Sequence, residues 1–91
     1  MIICLGLHKF DDVAYDADGD VLYLHKGPPV PAAETVATPE GQAVRLNDGG
    51  LIIGVTIVNA KWLADRDGRI TISVPEYIET PASNLAPALA S

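Results

Sequence analysis

Five aspartates crowd one short stretch of the chain, Asp11, Asp12, Asp16, Asp18 and Asp20, and of all its side chains these come nearest to a recognisable chemistry. Hard cations such as calcium take several carboxylate oxygens from closely spaced positions. The alternate spacing of Asp16, Asp18 and Asp20 imitates the first half of a calcium loop, which makes these three the candidate metal ligands. The imitation stops there, because Val21 stands where such a loop needs glycine and Gly27 where it needs a bidentate glutamate. Turn formation accounts for Asp16 and Gly19 without any ion.

Two histidines and three arginines supply the remaining options. His25 continues the strand face of Val21 and Tyr23 near a strand end, and with Arg45 it forms the candidate ligand-binding pair. Cys4 and His8 fall on one face if the first residues run as a single strand, which invites a thiolate and imidazole reading. No third group orients such a pair, so a buried structural cysteine is the expectation. Arg45, Arg66 and Arg69 are too scattered in sequence to define an anion pocket unless folding gathers them. Ser73, Ser83 and Ser91 lack the strand-turn-helix context of an activated nucleophile, and no glycine-rich phosphate loop is present. No catalytic residue and no cofactor is assigned.

The elements that position these residues read as hairpins. Asp, Asn and Gly recur between runs rich in Val, Ile, Leu and Tyr. Around Asp16-Ala17-Asp18-Gly19-Asp20 we expect a three-residue loop with Gly19 in the left-handed position, setting Asp16 opposite Asp20, Tyr15 opposite Val21 and Val13 opposite Tyr23. Around Asn47-Asp48-Gly49-Gly50 we expect a two-residue Asp-Gly turn of type I′, with Leu46 opposite Leu51 and Val44 opposite Ile53. Further strands are expected at 34–37, 42–47 and 69–74. Ala60-Lys61-Trp62-Leu63-Ala64 is the one helix candidate, with Trp62 over an end of the core. The connector Gly27-Pro28-Pro29-Val30-Pro31 is stiff and poor in donors.

Residues 51–58 alternate, yet both faces are apolar: Leu51, Ile53, Val55 and Ile57 against Ile52, Gly54, Thr56 and Val58. Residues 21–24 do the same. An antiparallel sheet wetted on one side normally alternates apolar with polar, so a second covering layer is implied, and another subunit is its expected source. The fold class is therefore mostly β: a small antiparallel, meander-like sheet of about five to six strands, with residues 1–75 as one domain. Residues 76–91, rich in Pro, Ala and Ser, are expected to form a loose tail or to dock on a neighbour.

Tyr15-Asp16-Ala17-Asp18-Gly19-Asp20-Val21-Leu22-Tyr23-Leu24 resembles the opening of a family of short proteins catalogued as domain of unknown function 2283. Leu51-Ile52-Ile53-Gly54-Val55-Thr56-Ile57-Val58-Asn59-Ala60 resembles that family's closing strand with its internal glycine. The resemblance spans residues 13–60 and departs from the family at Thr56, where an acidic residue is common. It implies a small β fold and brings no activity with it.

Composition narrows the partners. Twelve acidic against six basic residues give a formal net charge of −6, which repels phosphate backbones and anionic lipid surfaces, so neither nucleic acid nor membrane is expected as a partner. With a single cysteine no disulfide can close within the chain, and the apolar opening residues are too short for a signal-peptide core; we expect a cytoplasmic protein. The expected function is a non-enzymatic, self-associating interaction module, most simply a homodimer, whose acidic surface could also recognise a basic protein. The alternative is a small ligand-binding protein or enzyme with a site at a subunit interface, drawing on His8, His25, Asp16 and Arg45.

Overall fold

The computed structural model describes residues 1–28 and 30–90; Pro29 of the proline connector and Ser91 lie outside the described residues. Along the chain run β1 (Ile3–Leu5), β2 (His8–Phe10), β3 (Asp12–Asp16), β4 (Val21–His25), β5 (Glu34–Ala37), β6 (Gln42–Leu46), β7 (Ile52–Val58), α1 (Ala60–Asp67), β8 (Arg69–Ile72), β9 (Ile78–Pro81) and α2 (Ala86–Leu89). The fold is mostly β and antiparallel throughout. Among the described residues there are nine strands in three sheets, more than the five to six expected, because both chain ends add a two-stranded hairpin.

The main sheet has the order β3-β4-β7-β6-β5 rather than a simple meander. The hairpin β3–β4 and the meander β5–β6–β7 join where β4 pairs with β7, and the segment between β4 and β5 crosses the sheet end to make this possible. The Lys26 amide donates to the Ile53 carbonyl at 2.8 Å and the Ala33 amide to the Leu46 carbonyl at 3.0 Å, tying that crossover down at both ends.

Both hairpins differ from the expected register, the first by one residue and the second by one before its bulge and two beyond it. In the first, Asp16 pairs with Val21, Tyr15 with Leu22 and Ala14 with Tyr23, so Asp16 and Asp20 do not face each other and no repulsive pair arises. Asp20, not Gly19, takes the left-handed conformation at φ 54°. Its carboxylate has distant work that fixes it there. The Ala60 amide donates to the Asp20 carbonyl at 3.1 Å, the Lys61 amide to Oδ1 at 2.8 Å, the Trp62 amide to Oδ2 at 3.1 Å and the Tyr15 hydroxyl to Oδ1 at 2.7 Å. Asp20 thereby satisfies the orphan amides at the start of α1, a task that Asn59 at the local cap position does not perform.

Desolvation alone would raise the Asp20 carboxyl, but the Lys61 and Trp62 amides, the Tyr15 hydroxyl and the Lys61 ammonium outweigh it and hold the group below its ordinary value. The same hydrogen bond to Asp20, then desolvation and the charges of Asp20, Asp16 and Asp65, push Tyr15 from 10.0 up to about 12. Asp20 stabilises the fold when ionised, so its contribution is present above the ordinary carboxylate range and fades as pH falls through it. Tyr15 works in the opposite sense: its contribution is complete below pH 10 and disappears as pH rises toward 12. Asp20→Ala is expected to cost about 1 to 2 kcal/mol at neutral pH, by loss of a helix cap. Tyrosinate absorbance should show Tyr15 returning toward 10 in that variant; an unchanged titration would mean that Asp20 does not hold the phenol.

In the second hairpin Asn47 organises a longer loop. Its Oδ1 accepts the Gly49 amide at 2.9 Å and the Leu51 amide at 3.0 Å, and Gly50 takes φ 78° in place of a type I′ turn. Leu46 then pairs with Ile52 and Arg45 with Gly54, leaving Ile53 as a bulge. The bulge reverses the alternation of β7, so Ile52, Val55 and Ile57 all reach the same core. The doubled apolar pattern of residues 51–58 is thus partly a bulge signature, with Leu51 left 66% exposed.

The chain supplies one covering layer itself. Leu22, Leu24, Val44, Val55 and Ile57 of the sheet pack in one cluster with Ile3, Leu5 and Phe10 of the first hairpin, Ala60 of α1, Ile70, Ile72 and Ile78 of the last hairpin, and Leu85 and Ala88. Within residues 76–90, Ile78, Thr80, Leu85 and Ala88 are buried and tie the segment to the core. Helix α1 runs eight residues, past the expected single turn, and Gly68 ends it at φ 69° with its amide on the Ala64 carbonyl at 2.9 Å. Trp62 does not cap the core: it is 55% exposed, with the Arg66 guanidinium 4.5 Å from its ring centre.

Candidate functional site

The main sheet turns its other face away from this cluster, and the register arranges that face in rows. One row crosses all five strands as Asp12, His25, Gly54, Arg45 and Thr35. The next runs Ala14, Tyr23, Thr56, Ala43 and Ala37. The two ligand candidates of the sequence, His25 and Arg45, thus flank one glycine from opposite sides.

Gly54 is what lets them approach. A Cβ there would lie 2.9 Å from His25 Cδ2, 3.1 Å from the Leu24 carbonyl oxygen and 3.5 Å from Arg45 Cδ. Imidazole and arginine stem both lean over the bare backbone, as an aromatic ring often covers a strand glycine. His25 is only 6% exposed. Its Nδ1 lies 3.1 Å from the Gly27 carbonyl oxygen, which can only accept, so Nδ1 carries a hydrogen. Nε2 is buried and has no hydrogen-bond partner among the described residues. A buried polar atom left unpaired costs about 1 to 3 kcal/mol.

Arg45 donates from one terminal nitrogen to the Val30 carbonyl at 2.7 Å. Arg66 pairs with Asp67 and Arg69 with Glu79, whereas Arg45 joins no ion pair among the described residues. Asp12, directly opposite His25, lines the same hollow, with Ala14, Tyr23 and Thr56 completing a space of about 290 Å³.

The other sequence candidates go elsewhere. Asp16 Oδ1 accepts the Asp18 and Gly19 amides at 3.1 and 3.3 Å, a local turn, while Asp20 caps α1. The three proposed metal ligands therefore do not converge, and among the described residues no group of three or more His, Cys, Asp or Glu side chains is placed to hold a metal ion. Cys4 and His8 do not share one strand, because the chain reverses at Gly6 (φ 58°); Cys4 pairs with Lys9 and His8 with Leu5, on opposite faces.

His8 instead joins a contact that sequence reading missed. Lys26 Nζ, which can only donate, lies 2.9 Å from Nδ1, so Nε2 bears the hydrogen given to Glu76 Oε1 at 2.9 Å. Residues 8, 26 and 76 are far apart in sequence, and nothing local announces their meeting. At 55% exposure for the Glu76 side chain, the pair is a surface clasp worth little energetically. Folding does bring Arg66 and Arg69 to one hollow of about 440 Å³ beside Trp62, but both cations are already neutralised there by Asp67 and Glu79.

No family model, no curated protein and no solved structure matches this chain. Function must therefore be argued from the outward face itself. No helix among the described residues is long and apolar enough to cross a membrane.

Proposed function

We propose that the protein is a non-enzymatic, self-associating module whose outward sheet face packs on the same face of a second copy. One observation carries this reading: the row Ala14, Tyr23, Thr56, Ala43 and Ala37 crosses five strands without a single charge, in a chain with eighteen charged side chains. A face meant for water normally carries charge on such a row. Tyr23 within the row is 48% exposed, and Val58 adds apolar area beside it at 43% exposure. One large side chain among alanines is also self-complementary, since a two-fold axis sets each Tyr23 against the partner's small residues.

The edges of the sheet suit edge-on pairing less well. β5 is four residues long and begins at Glu34, while β3 carries Asp12 and Asp16 at its ends. A neutral row also favours a like copy over a basic partner protein, which would seek concentrated negative charge. The resemblance to domain of unknown function 2283 fits a small β module, and the single cysteine fits a cytoplasmic setting.

Five strands spaced by about 4.8 Å, each about five residues long at ~3.4 Å per residue, make a face of roughly 20 by 17 Å, or about 340 Å², smaller than the ~800 Å² per partner of a standard interface. A concentration-dependent dimer is accordingly expected by size-exclusion chromatography with light scattering, with dissociation in the micromolar range. Tyr23→Arg should give a monomer with unchanged circular dichroism. A wild-type chain that stays monomeric at high micromolar concentration overturns the reading.

A further inference from the structure

The outward face matches itself under one particular two-fold rotation. An axis lying in the interface, parallel to the strands and midway between β4 and β7, lays β3 over the partner's β6 and β4 over the partner's β7, and it keeps every row at its own height. Asp12 then faces the partner's Arg45, and by symmetry Arg45 faces the partner's Asp12. We propose that the second copy docks in this one orientation, locked by two symmetric ion pairs between Asp12 and Arg45. The inference rests on the self-association proposed above and adds which residues meet and what selects the partner.

Charge singles this orientation out. Within one chain, Asp12 and Arg45 stand three strand intervals apart, roughly 14 Å at about 4.8 Å each. Neither side chain joins an ion pair among the described residues, although both are half-buried and line the same hollow. A neutral partner face laid over them would strip their water and return nothing, whereas an opposite charge compensates each. An axis across the strands fails that condition. Along the polar row it sets Asp12 on the partner's Asp12, and along the neutral row it sets Asp12 on the partner's Asp16, like charges in either case. Shifting the strand-parallel axis onto β4 or β7 leaves Asp12 facing the partner's Gly54 or the partner's Thr35 instead.

The uncharged rows agree with the same axis. Tyr23 comes over the partner's Thr56, a large side chain on a smaller one, and Ala14 over the partner's Ala43. One row further along, half-buried Val21 comes over the partner's Val58, which is 43% exposed. Stacked sheets lie about 10 Å apart and turn by about 30°. An arginine side chain is long and flexible enough to follow that turn to a facing aspartate.

Charge reversal tests it, with association read by sedimentation velocity. Asp12→Arg and Arg45→Asp should each keep the circular dichroism of the wild type and weaken self-association about tenfold or more, because like charges then face each other twice. Mixed one to one, the two variants are complementary at both pairs and should form a heterodimer about as tight as the wild-type dimer. The doubly reversed chain, Asp12→Arg with Arg45→Asp, keeps the formal net charge of −6 and should recover the homodimer, so that recovery cannot come from overall attraction. Should Arg45→Asp fail to fold for want of its bond to the Val30 carbonyl, a cycle of Asp12→Asn with Arg45→Gln, whose amide still offers a donor, reads the coupling. The double variant should then dimerise no more weakly than either single one, and additive losses would overturn the pairing. A wild-type dimer whose reversed variants associate as tightly as before, or do not rejoin when mixed, overturns this orientation and leaves self-association standing; a wild type that stays monomeric overturns both.

Discussion

Leu85→Ala is expected to lower the unfolding free energy by about 2 to 5 kcal/mol, the range for emptying a closed core position. Leu85 is fully buried between the short 3-10 turn Ala82–Asn84 and α2, with Ala88 equally buried one turn on. The segment cannot collapse freely around the lost side chain, because it is fastened at two points just ahead of Leu85. The Ala82 amide donates to the Gly68 carbonyl at 3.0 Å, and the Gly6 amide donates to the hydroxyl of buried Thr80 at 2.9 Å. A domain of this size has a total stability of only about 5 to 14 kcal/mol, so the substitution removes a large share of it. Urea denaturation should show a lower midpoint with an unchanged slope. A midpoint that does not move would mean that residues 76–90 hang loosely on the domain.

The prolines misled the sequence reading of this segment, for a physical reason. Pro81 and Pro87 exclude a long helix, and none forms. Yet Pro81 sits at the end of β9, and Pro87 lies in the first turn of α2, where no amide is required. A breaker forbids one structure without forbidding order. Ile78 and Thr80 are buried where β9 folds back on β8 as a hairpin, and Leu85 and Ala88 follow on the core beyond it.

The strands themselves were legible. Glu34–Ala37 matches in full, and residues 21–24, 42–47 and 51–58 coincide with β4, β6 and β7 to within a residue at each end. Register was not legible, because each turn is set by a side chain with unforeseen partners. Asp20 answers to α1, forty residues away, and Asn47 to the Leu51 amide. One residue of register has consequences at the site. The expected pairing of the first hairpin would set Asp11 opposite His25, whereas the actual pairing brings Asp12 there. His25 and Arg45 could be nominated from strand position alone. That they meet over Gly54 depends on the bulge at Ile53, which alternation alone conceals.

That meeting also makes Gly54 the least replaceable residue of the outward face. Gly54→Ala places its methyl 2.9 Å from His25 Cδ2 and 3.1 Å from the Leu24 carbonyl oxygen, in the middle of the sheet. The ring can swing away by giving up its bond to Gly27; the Leu24 carbonyl, held between two paired strands, cannot. Overpacking of this kind costs about 1 to 3 kcal/mol, set against the ~0.5 to 1 kcal/mol that alanine normally gains over glycine in a strand. Gly54→Val, with two further methyls and no free volume toward Arg45, should cost more. Because the ring and the backbone share the strain, His25→Ala should recover part of it. A double-mutant cycle of Gly54→Ala with His25→Ala is expected to show a coupling of about 0.5 to 3 kcal/mol, the range for residues in contact, with the pair less damaging than the sum. Strict additivity would mean that the imidazole does not lie over the glycine, and the cradle that joins His25 to Arg45 would fall with it.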